Sequence, residues 1–399
     1  MRPCGTLARR LSLVSILLAY LVICLALTAP ATAAVAAGPS GLSAIAYVGA
    51  GNGAGSYISG FAVSPDGTAQ PVPGSPFSGA SFSLVGTRSY LFATDGRNLV
   101  TYTVAGDGSL TDTSSVDGTA YDLDRQSSGV GALSLTPDGR NLYTDEWYFD
   151  GANNAYLSWR VGSNGQLSYI PSPTSFPPYA TAGGWPFSFT TDSRFAYTWS
   201  ICSRDGAAWG YVRRTDGALT QRPMETYGPP AQPGQESSSC SQAVAVSALG
   251  YAAIAWNGDY CCGGPPVIAT YRIAADGMLQ FVPDSEQSIS CTESPMAFDP
   301  AGRYLAVACN GIQVYELGVQ GQLTPVGSRV QTNIAFGNLS WDASSHLYGI
   351  TDQNSQACQN EDSACGLYIF KFNAGVLSLA AGSPYRISQP GSLAVLPAP

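Results

Sequence analysis

Residues 294–327 alternate between short apolar runs and turn residues. The apolar runs are Met296–Phe298, Tyr304–Ala308, Ile312–Leu317 and 323–326, and Pro, Gly and Asn occur between them. Because Pro presets a turn and Gly tolerates positive φ, this spacing predicts four antiparallel strands, A to D in chain order. The B strand, Tyr304–Ala308, is apolar at every position, which predicts that protein covers both of its faces.

The same unit recurs along the chain. A glycine marks each predicted turn between strands C and D, namely Gly67, Gly108, Gly165, Gly217, Gly277, Gly321 and Gly375. Turns between strands A and B recur at 86–89, 137–140, 192–194, 248–250, 300–303 and 343–346. A repeat of roughly 50 residues built from short strands is typical of a propeller. We therefore predict an all-β fold, a seven-bladed β-propeller.

The two ends of the repeat array complement each other. A B-type run at 44–48 opens the array, and an A-type run at 391–396 ends it. Pairing of the N-terminal B strand with the C-terminal A strand would complete one blade and close the ring, which removes exposed sheet edges. No linker interrupts the repeats, so we predict a single domain over residues 37–399.

The N-terminal segment has the pattern of an export signal. Arg2, Arg9 and Arg10 precede an uncharged run at 11–27, and small residues follow it. This pattern predicts a signal peptide over residues 1–36 and a secreted or extracytoplasmic protein. The alternative is an uncleaved membrane anchor, since 17 apolar residues are near the lower limit for spanning a bilayer.

Composition restricts the partners. Charged residues make up only 11% of the chain, and the net charge of −9 becomes more negative once the signal arginines are removed. Such a surface is a poor partner for nucleic acid or anionic lipid. We expect a monomer that binds no nucleic acid and, after signal cleavage, no membrane.

Several motifs resemble one family. These are SGFAVSPDGTAQPVPGSPF (59–77), PDGRNLYT (137–144), AGRYLAVA (301–308) and PGSLAVLP (390–397). They are similar to the lactonase-type seven-bladed propellers with YVTN-like repeats, which have a 6-phosphogluconolactonase-like fold. The resemblance covers about residues 44–397 and consists of turns and buried strands. It implies the propeller fold and, as a possible activity, hydrolysis of a lactone.

The cysteines beyond the signal segment predict disulfides. All eight map to the B–C and D–A connections, which share one face of the disc, called here the top face; the A–B and C–D turns form the bottom face. An even number in an exported chain favours disulfides, and Cys358 and Cys365, which share one loop, are the first expected pair. The other six are Cys202, Cys240, Cys261, Cys262, Cys291 and Cys309.

Two arrangements of these six remain open. Cys202 could join Cys240 while Cys261 and Cys262 reach Cys291 and Cys309. Alternatively, Cys240 joins Cys261, and Cys291 joins Cys309, within single blades. A zinc site is disfavoured because neither a C-x-x-C pair nor a neighbouring His supplies the usual ligand spacing.

Catalytic chemistry is limited by the residues present. His346 is the only histidine, and it lies in a predicted A–B turn, so it points to the bottom face. A Ser-His-Asp triad, a Cys-His pair and a His-based metal site at the top face are therefore excluded. If the protein opens a lactone, Glu146 or Asp145 would act as the base and Arg97 or Arg125 would hold the oxyanion.

The top-face loops are rich in aromatic and acidic residues that suit binding. The candidate binding residues are Glu146, Trp147, Trp185, Trp256 and Asp259. Trp offers a flat face for sugar rings or protein pockets, although such aromatics also pack between blades. Asp122 and Asp124, near Asp117, could hold calcium, but their spacing matches no EF-hand loop and favours a solvated acidic loop. We expect no cofactor.

Two functions of different class follow. The first is an exported binding or scaffold module that uses its disulfide-stapled top face to hold a glycan, a small molecule or a protein. The second is the lactonase that the resemblance implies. The first is favoured, because sugar-phosphate lactones are cytosolic and anionic whereas this chain is exported and acidic, and because the channel histidine of many lactonase-type propellers has no counterpart here.

Overall fold

Seven antiparallel sheets form the fold. The structure, a computed structural model, describes residues 41–51, 55–121, 127–148, 155–175, 186–199, 208–222, 240–258, 264–291, 295–360 and 363–398. Each sheet is one blade, and its four main strands pair with their neighbours in the order A-B-C-D. The predicted all-β, seven-bladed propeller is therefore confirmed.

The strands follow the predicted repeat. Blades 1 to 3 contain β1 (Ala44–Ala50), β2 (Tyr57–Val63), β3 (Ala69–Pro71), β4 (Phe77–Ser78); β5 (Ser83–Gly86), β6 (Tyr90–Thr94), β7 (Asn98–Val104), β8 (Leu110–Asp117); and β9 (Ser127–Leu135), β10 (Asn141–Tyr148), β11 (Ala155–Val161), β12 (Leu167–Ser175). Blades 4 and 5 contain β13 (Ser188–Phe189), β14 (Phe195–Trp199), β15 (Ala208–Arg213), β16 (Leu219–Gln221); and β17 (Cys240–Val246), β18 (Tyr251–Gly258), β19 (Gly264–Ile273), β20 (Leu279–Phe281), β21 (Gln287–Ser288). Blades 6 and 7 contain β22 (Met296–Phe298), β23 (Tyr304–Ala308), β24 (Ile312–Leu317), β25 (Leu323–Val330); and β26 (Phe336–Trp341), β27 (His346–Thr351), β28 (Gly366–Asn373), β29 (Val376–Leu379), β30 (Tyr385–Arg386). The last strand, β31 (Pro390–Pro397), returns to blade 1.

The ring closes as the two ends of the repeat array predict. Strand β31 is the inner strand of blade 1 and pairs with β1 in antiparallel register, with Tyr47 opposite Ala394 and Val48 opposite Leu393. Every residue of β1 is buried, because β31 and β2 flank it in the sheet and blades 7 and 2 cover its two faces.

The core is divided among the interfaces between adjacent blades. In β23 the alternate residues Leu305 and Val307 pack toward blade 5, whereas Ala306 and Ala308 pack toward blade 7. Successive side chains of a strand point to opposite faces, so a strand that is apolar at every position fits between two neighbours. Burial of Leu305–Ala308 confirms the prediction made from this run.

Tyrosine hydroxyls join the B strand of one blade to the C–D turn of the next. Tyr47 donates to the carbonyl of Gly108 at 2.6 Å, Tyr143 to that of Gly217 at 2.6 Å, and Tyr197 to that of Gly277 at 2.7 Å. All seven predicted turn glycines have positive φ, which a side chain would strain. The turn glycines therefore shape the hairpins and also carry the acceptors that tie blades together.

Several elements lie beyond the predicted pattern. Two-residue strands β4, β21 and β30 each pair with the C strand of their own blade and add a fifth strand there. A single turn of helix, α1 (Gln356–Gln359), lies in the B–C connection of blade 7. In the described part of the chain, no helix has the length and apolar character needed to cross a bilayer. The predicted signal peptide, residues 1–36, lies outside the described residues.

Candidate functional site

Two disulfides join described residues on the top face. Cys358 and Cys365 form the expected bridge within the loop that contains α1, and Cys291 and Cys309 join the entry of blade 6 to the end of its B strand. The first expected pair is confirmed, and the pairing of Cys291 with Cys309 within one blade replaces the arrangement in which Cys261 and Cys262 reach them.

The structure describes little of the other four cysteines for which disulfides are predicted. Cys202, Cys261 and Cys262 lie outside the described residues. Cys240 begins β17, but its side chain lies outside the described part of the structure. The start of an A strand lies at the top face, as predicted for Cys240.

Polar contacts reinforce both disulfide loops. Nη1 of Arg329 donates to the carbonyl of Cys309 at 3.0 Å. In blade 7 the sulphurs of Cys358 and Cys365 are buried, with Oγ1 of Thr351 lying 3.1 Å from Sγ of Cys358. Ser355 caps α1, because its side chain accepts a hydrogen bond from the backbone N–H of Cys358. These contacts hold two top-face loops in defined positions.

The predicted binding residues fall into three groups. Glu146 and Trp147 extend β10, opposite Val130 and Gly129 of β9, and their side chains are outside the description. Trp185 and Asp259 lie wholly outside the described residues. Trp256 is only 1% exposed and belongs to the core between blades 4 and 5, with its ring centroid 6.4 Å from that of Tyr271. Its position gives no support to a role in surface binding.

Asp145, the candidate base, is buried at the interface of blades 3 and 4. It pairs through the backbone with Tyr156, and its side chain is 1% exposed. Burial raises the pKa of Tyr156, with additional contributions from the nearby Tyr211 hydroxyl and the Asp145 charge. Asp145 therefore lies among aromatic groups of the blade interface instead of on an open loop.

Arg97, a candidate oxyanion holder, is engaged in a surface ion pair. Its Nη2 lies 2.9 Å from Oδ2 of Asp117, and two thirds of the Arg97 side chain is exposed. The hydrogen bond from Arg97, followed by that from Thr119, lowers the pKa of Asp117 to about 2. Arg125, Asp122 and Asp124 lie outside the described residues. Among the described residues no group of three His, Cys, Asp or Glu could hold a metal ion.

His346 is at the bottom end of blade 7 but is buried instead of pointing to the surface. Its Nδ1 lies 2.7 Å from Oδ2 of Asp342, and the Tyr348 hydroxyl donates to the same oxygen at 2.9 Å. Both His346 and Asp342 are less than 5% exposed. This cluster ties an A–B turn to its B strand, which is a structural role.

A cavity of about 640 Å³ occupies the bottom half of the central channel. The inner strands of blades 1, 2 and 3 and the A–B turns of blades 2 and 3 form most of its wall, with Pro186 and Phe187 from the entry of blade 4 and Ser340 from blade 7. Sequence reasoning missed it, because its residues come from five blades and share no motif. Only the position of these residues could have indicated the cavity, because they face inward near the ends of the A strands.

Comparison with known proteins supports the fold alone. No protein-family model matches the chain, and no curated protein matches it. Solved structures do match. A protein from Lactobacillus plantarum superposes with a TM-score of 0.61 at 12% identity, over 89% of this chain and 99% of that one. A functionally unknown protein from Desulfotomaculum acetoxidans gives 0.59 at 12% identity, over 88% and 98%.

A third similar structure is the β-propeller domain of Cps50 (Swd1) from Myceliophteria thermophila. Its TM-score is 0.54 at 12% identity, over 82% of this chain and 92% of that domain. At such low identity these likenesses support the propeller fold and carry no function with them. The lactonase family that the motifs resemble is not confirmed by them.

Proposed function

We propose that the protein is an exported binding module that holds its ligand on the top face. The observation that carries the proposal is the pair of disulfides, both of which fasten loops on that face. Disulfides persist in oxidising compartments, which agrees with the signal pattern at the N-terminus. A surface whose loops are already fixed loses less conformational entropy when it binds.

The strand β10 supports a specific place on that face. It runs to Tyr148 and carries Glu146 and Trp147 toward the top-face loops of blade 3. A Trp next to a carboxylate residue in the sequence suits a glycan, a small molecule or a protein partner, because the ring can stack and the carboxylate accepts hydrogen bonds. Trp185 and Asp259 remain further candidates for the same surface.

The test is a panel of glycans, lactones and extracellular proteins applied to the secreted protein, with and without calcium. Trp147→Ala and Glu146→Gln should each weaken a ligand found in the panel about tenfold or more and leave the melting temperature unchanged. Leu249→Ala is the control, because Leu249 is 55% exposed in an A–B turn on the opposite face. Retention of full affinity by both top-face variants would refute this assignment.

A lactone hydrolase is the second candidate, favoured by the motif resemblance. It would use Asp145 or Glu146 as the base and Arg97 or Arg125 as the positive group. Arg97 already donates to Asp117, and Asp145 is buried, so the described groups would have to rearrange to act together. Lactone turnover in the same panel that is abolished by Glu146→Gln or Asp145→Asn would favour this candidate over a binding module.

A further inference from the structure

The walls of the bottom-channel cavity combine apolar and polar surface in nearly equal shares. Leu84, Leu133, Phe187, Leu393 and Leu396 belong to the lining, but each is less than 10% exposed because it packs mainly in a core between two blades. A volume of about 640 Å³ lies within the range of roughly 300–1,000 Å³ that is usual for small-molecule sites. The cavity is therefore large enough for an organic molecule.

Most polar groups in the wall are already used by the protein. Oγ of Ser134 accepts from the backbone N–H of Phe187 at 2.6 Å, and Oγ1 of Thr136 donates to Asp138 at 2.6 Å. Oγ1 of Thr87 accepts from the backbone N–H of Tyr90 at 3.1 Å. Each of these three hydroxyls therefore already has a partner within the protein.

The cavity lining contains one acidic and one basic residue, and only the acidic one is in an ion pair within the described part of the chain. Asp138 is the only acidic residue of the lining, and Nη1 of Arg213 lies 2.9 Å from its Oδ2. Burial raises the pKa of Asp138, but hydrogen bonds from Thr136, the Arg140 backbone and Arg213 outweigh it, so the pKa is lowered and the carboxylate stays ionised and paired. Arg88 is the only basic residue of the lining and forms no ion pair with any residue that the structure describes.

Arg88 differs from the arginines of the neighbouring A–B turns in its position before the B strand. Blades 3 and 4 carry Arg140 and Arg194 immediately before their B strands, and neither lines the cavity. Arg194 lies 3.9 Å from Asp192 and over the ring of Phe195. In blade 2 the arginine occurs two residues before β6, and this placement brings Arg88 to the cavity wall.

We propose that the bottom-channel cavity binds an organic anion, with its carboxylate or sulfonate group at Arg88 and the rest of the molecule against the mixed apolar and polar wall. A charge-assisted hydrogen bond to a guanidinium selects an anion over a neutral molecule of the same shape. This site is on the opposite face from the proposed top-face site and does not depend on it.

The experiment uses 1-anilinonaphthalene-8-sulfonate as the probe, followed by fluorescence and calorimetry, with dodecanoate and dodecanol as competitors. The folded protein should bind one probe molecule saturably, and dodecanoate should displace it at least tenfold better than dodecanol. Arg88→Gln should weaken probe binding about five- to tenfold. Arg140→Gln is the matched control, since Arg140 is exposed in the next A–B turn and does not line the cavity.

A second variant tests the location of the probe without changing charge. Ser340 lines the cavity from β26 and is half-buried, so Ser340→Leu places bulk inside the cavity and should weaken the probe by a similar factor. Melting temperatures establish that each variant is folded. The proposal is overturned if the folded protein binds no probe saturably, if Arg88→Gln and Arg140→Gln have equal effects, or if dodecanol competes as well as dodecanoate.

Discussion

Removing one hydroxyl tests whether the tyrosine contacts between blades stabilise the ring. Tyr47 is fully buried in β1, and its hydroxyl donates to the carbonyl of Gly108 in the next blade at 2.6 Å. Burial raises the pKa of this hydroxyl, with the Asp107 charge as a smaller contribution, so it remains a protonated donor at neutral pH. Tyr47→Phe keeps the ring in place and leaves the Gly108 carbonyl without this donor.

The expected cost follows from the burial of that carbonyl. A buried hydrogen bond contributes about 1 kcal/mol net, and an acceptor left unsatisfied costs about 1–3 kcal/mol. We expect Tyr47→Phe to lower the free energy of unfolding by about 2 kcal/mol. The aromatic packing is retained, so no cavity penalty is added.

Equilibrium unfolding in guanidinium chloride under oxidising conditions measures this change. Tyr57→Phe is the control, because the Tyr57 hydroxyl also donates to a backbone carbonyl, that of Ser388 at 3.1 Å, but at an exposed position. We expect the control to lose less than about 0.5 kcal/mol. Equal losses in the two variants would show that buried hydroxyls do not hold the blades together.

Two further predictions concern a turn and an ion pair. Gly277→Ala should lower the free energy of unfolding by about 3 kcal/mol, because φ of Gly277 is positive and a Cβ there would clash with a neighbouring ring. Gly250→Ala is the control and should cost about 1 kcal/mol, because φ is also positive but no atom lies within 4 Å of the added Cβ. Similar denaturant midpoints for the two variants would contradict this prediction. Arg97→Gln should raise the pKa of Asp117 from about 2 toward its ordinary value of 3.8, as followed by carboxyl NMR titration. Because the lowered pKa of Asp117 belongs to the folded state, any stability from this pair is present above about pH 4 and is lost as the pH falls toward 2. A pKa of Asp117 that is unchanged in Arg97→Gln would refute the contact.

The fold was predictable because its determinants are local and repeated. Gly277 and the other turn glycines occupy positive-φ positions that few residues tolerate, and B strands such as Tyr304–Ala308 show their burial in composition alone. The short strands β4, β21 and β30 were not predicted. They contain two residues each, and their pairing depends on where a D–A connection crosses the C strand, which is set by tertiary geometry.

The candidate site was less predictable because side-chain direction depends on register. Asp145 is a candidate base in the sequence, but β10 continues through it, with a register shift between Thr144 and Glu146. The pairing of β18 also shifts between Trp256 and Gly258, and Trp256 faces the core. A slip of one residue moves a strand side chain to the other face, so composition alone does not separate a surface residue from a core residue.

Pairing of β1 with β31 has a consequence for the order of events during biosynthesis. Strand β1 is among the first parts of the repeat array to be synthesised, yet its inner neighbour comes from residues 390–397. Until that segment emerges, one edge of blade 1 is bare and the nascent chain can only form an open arc. The first blade to be translated is therefore the last to be completed.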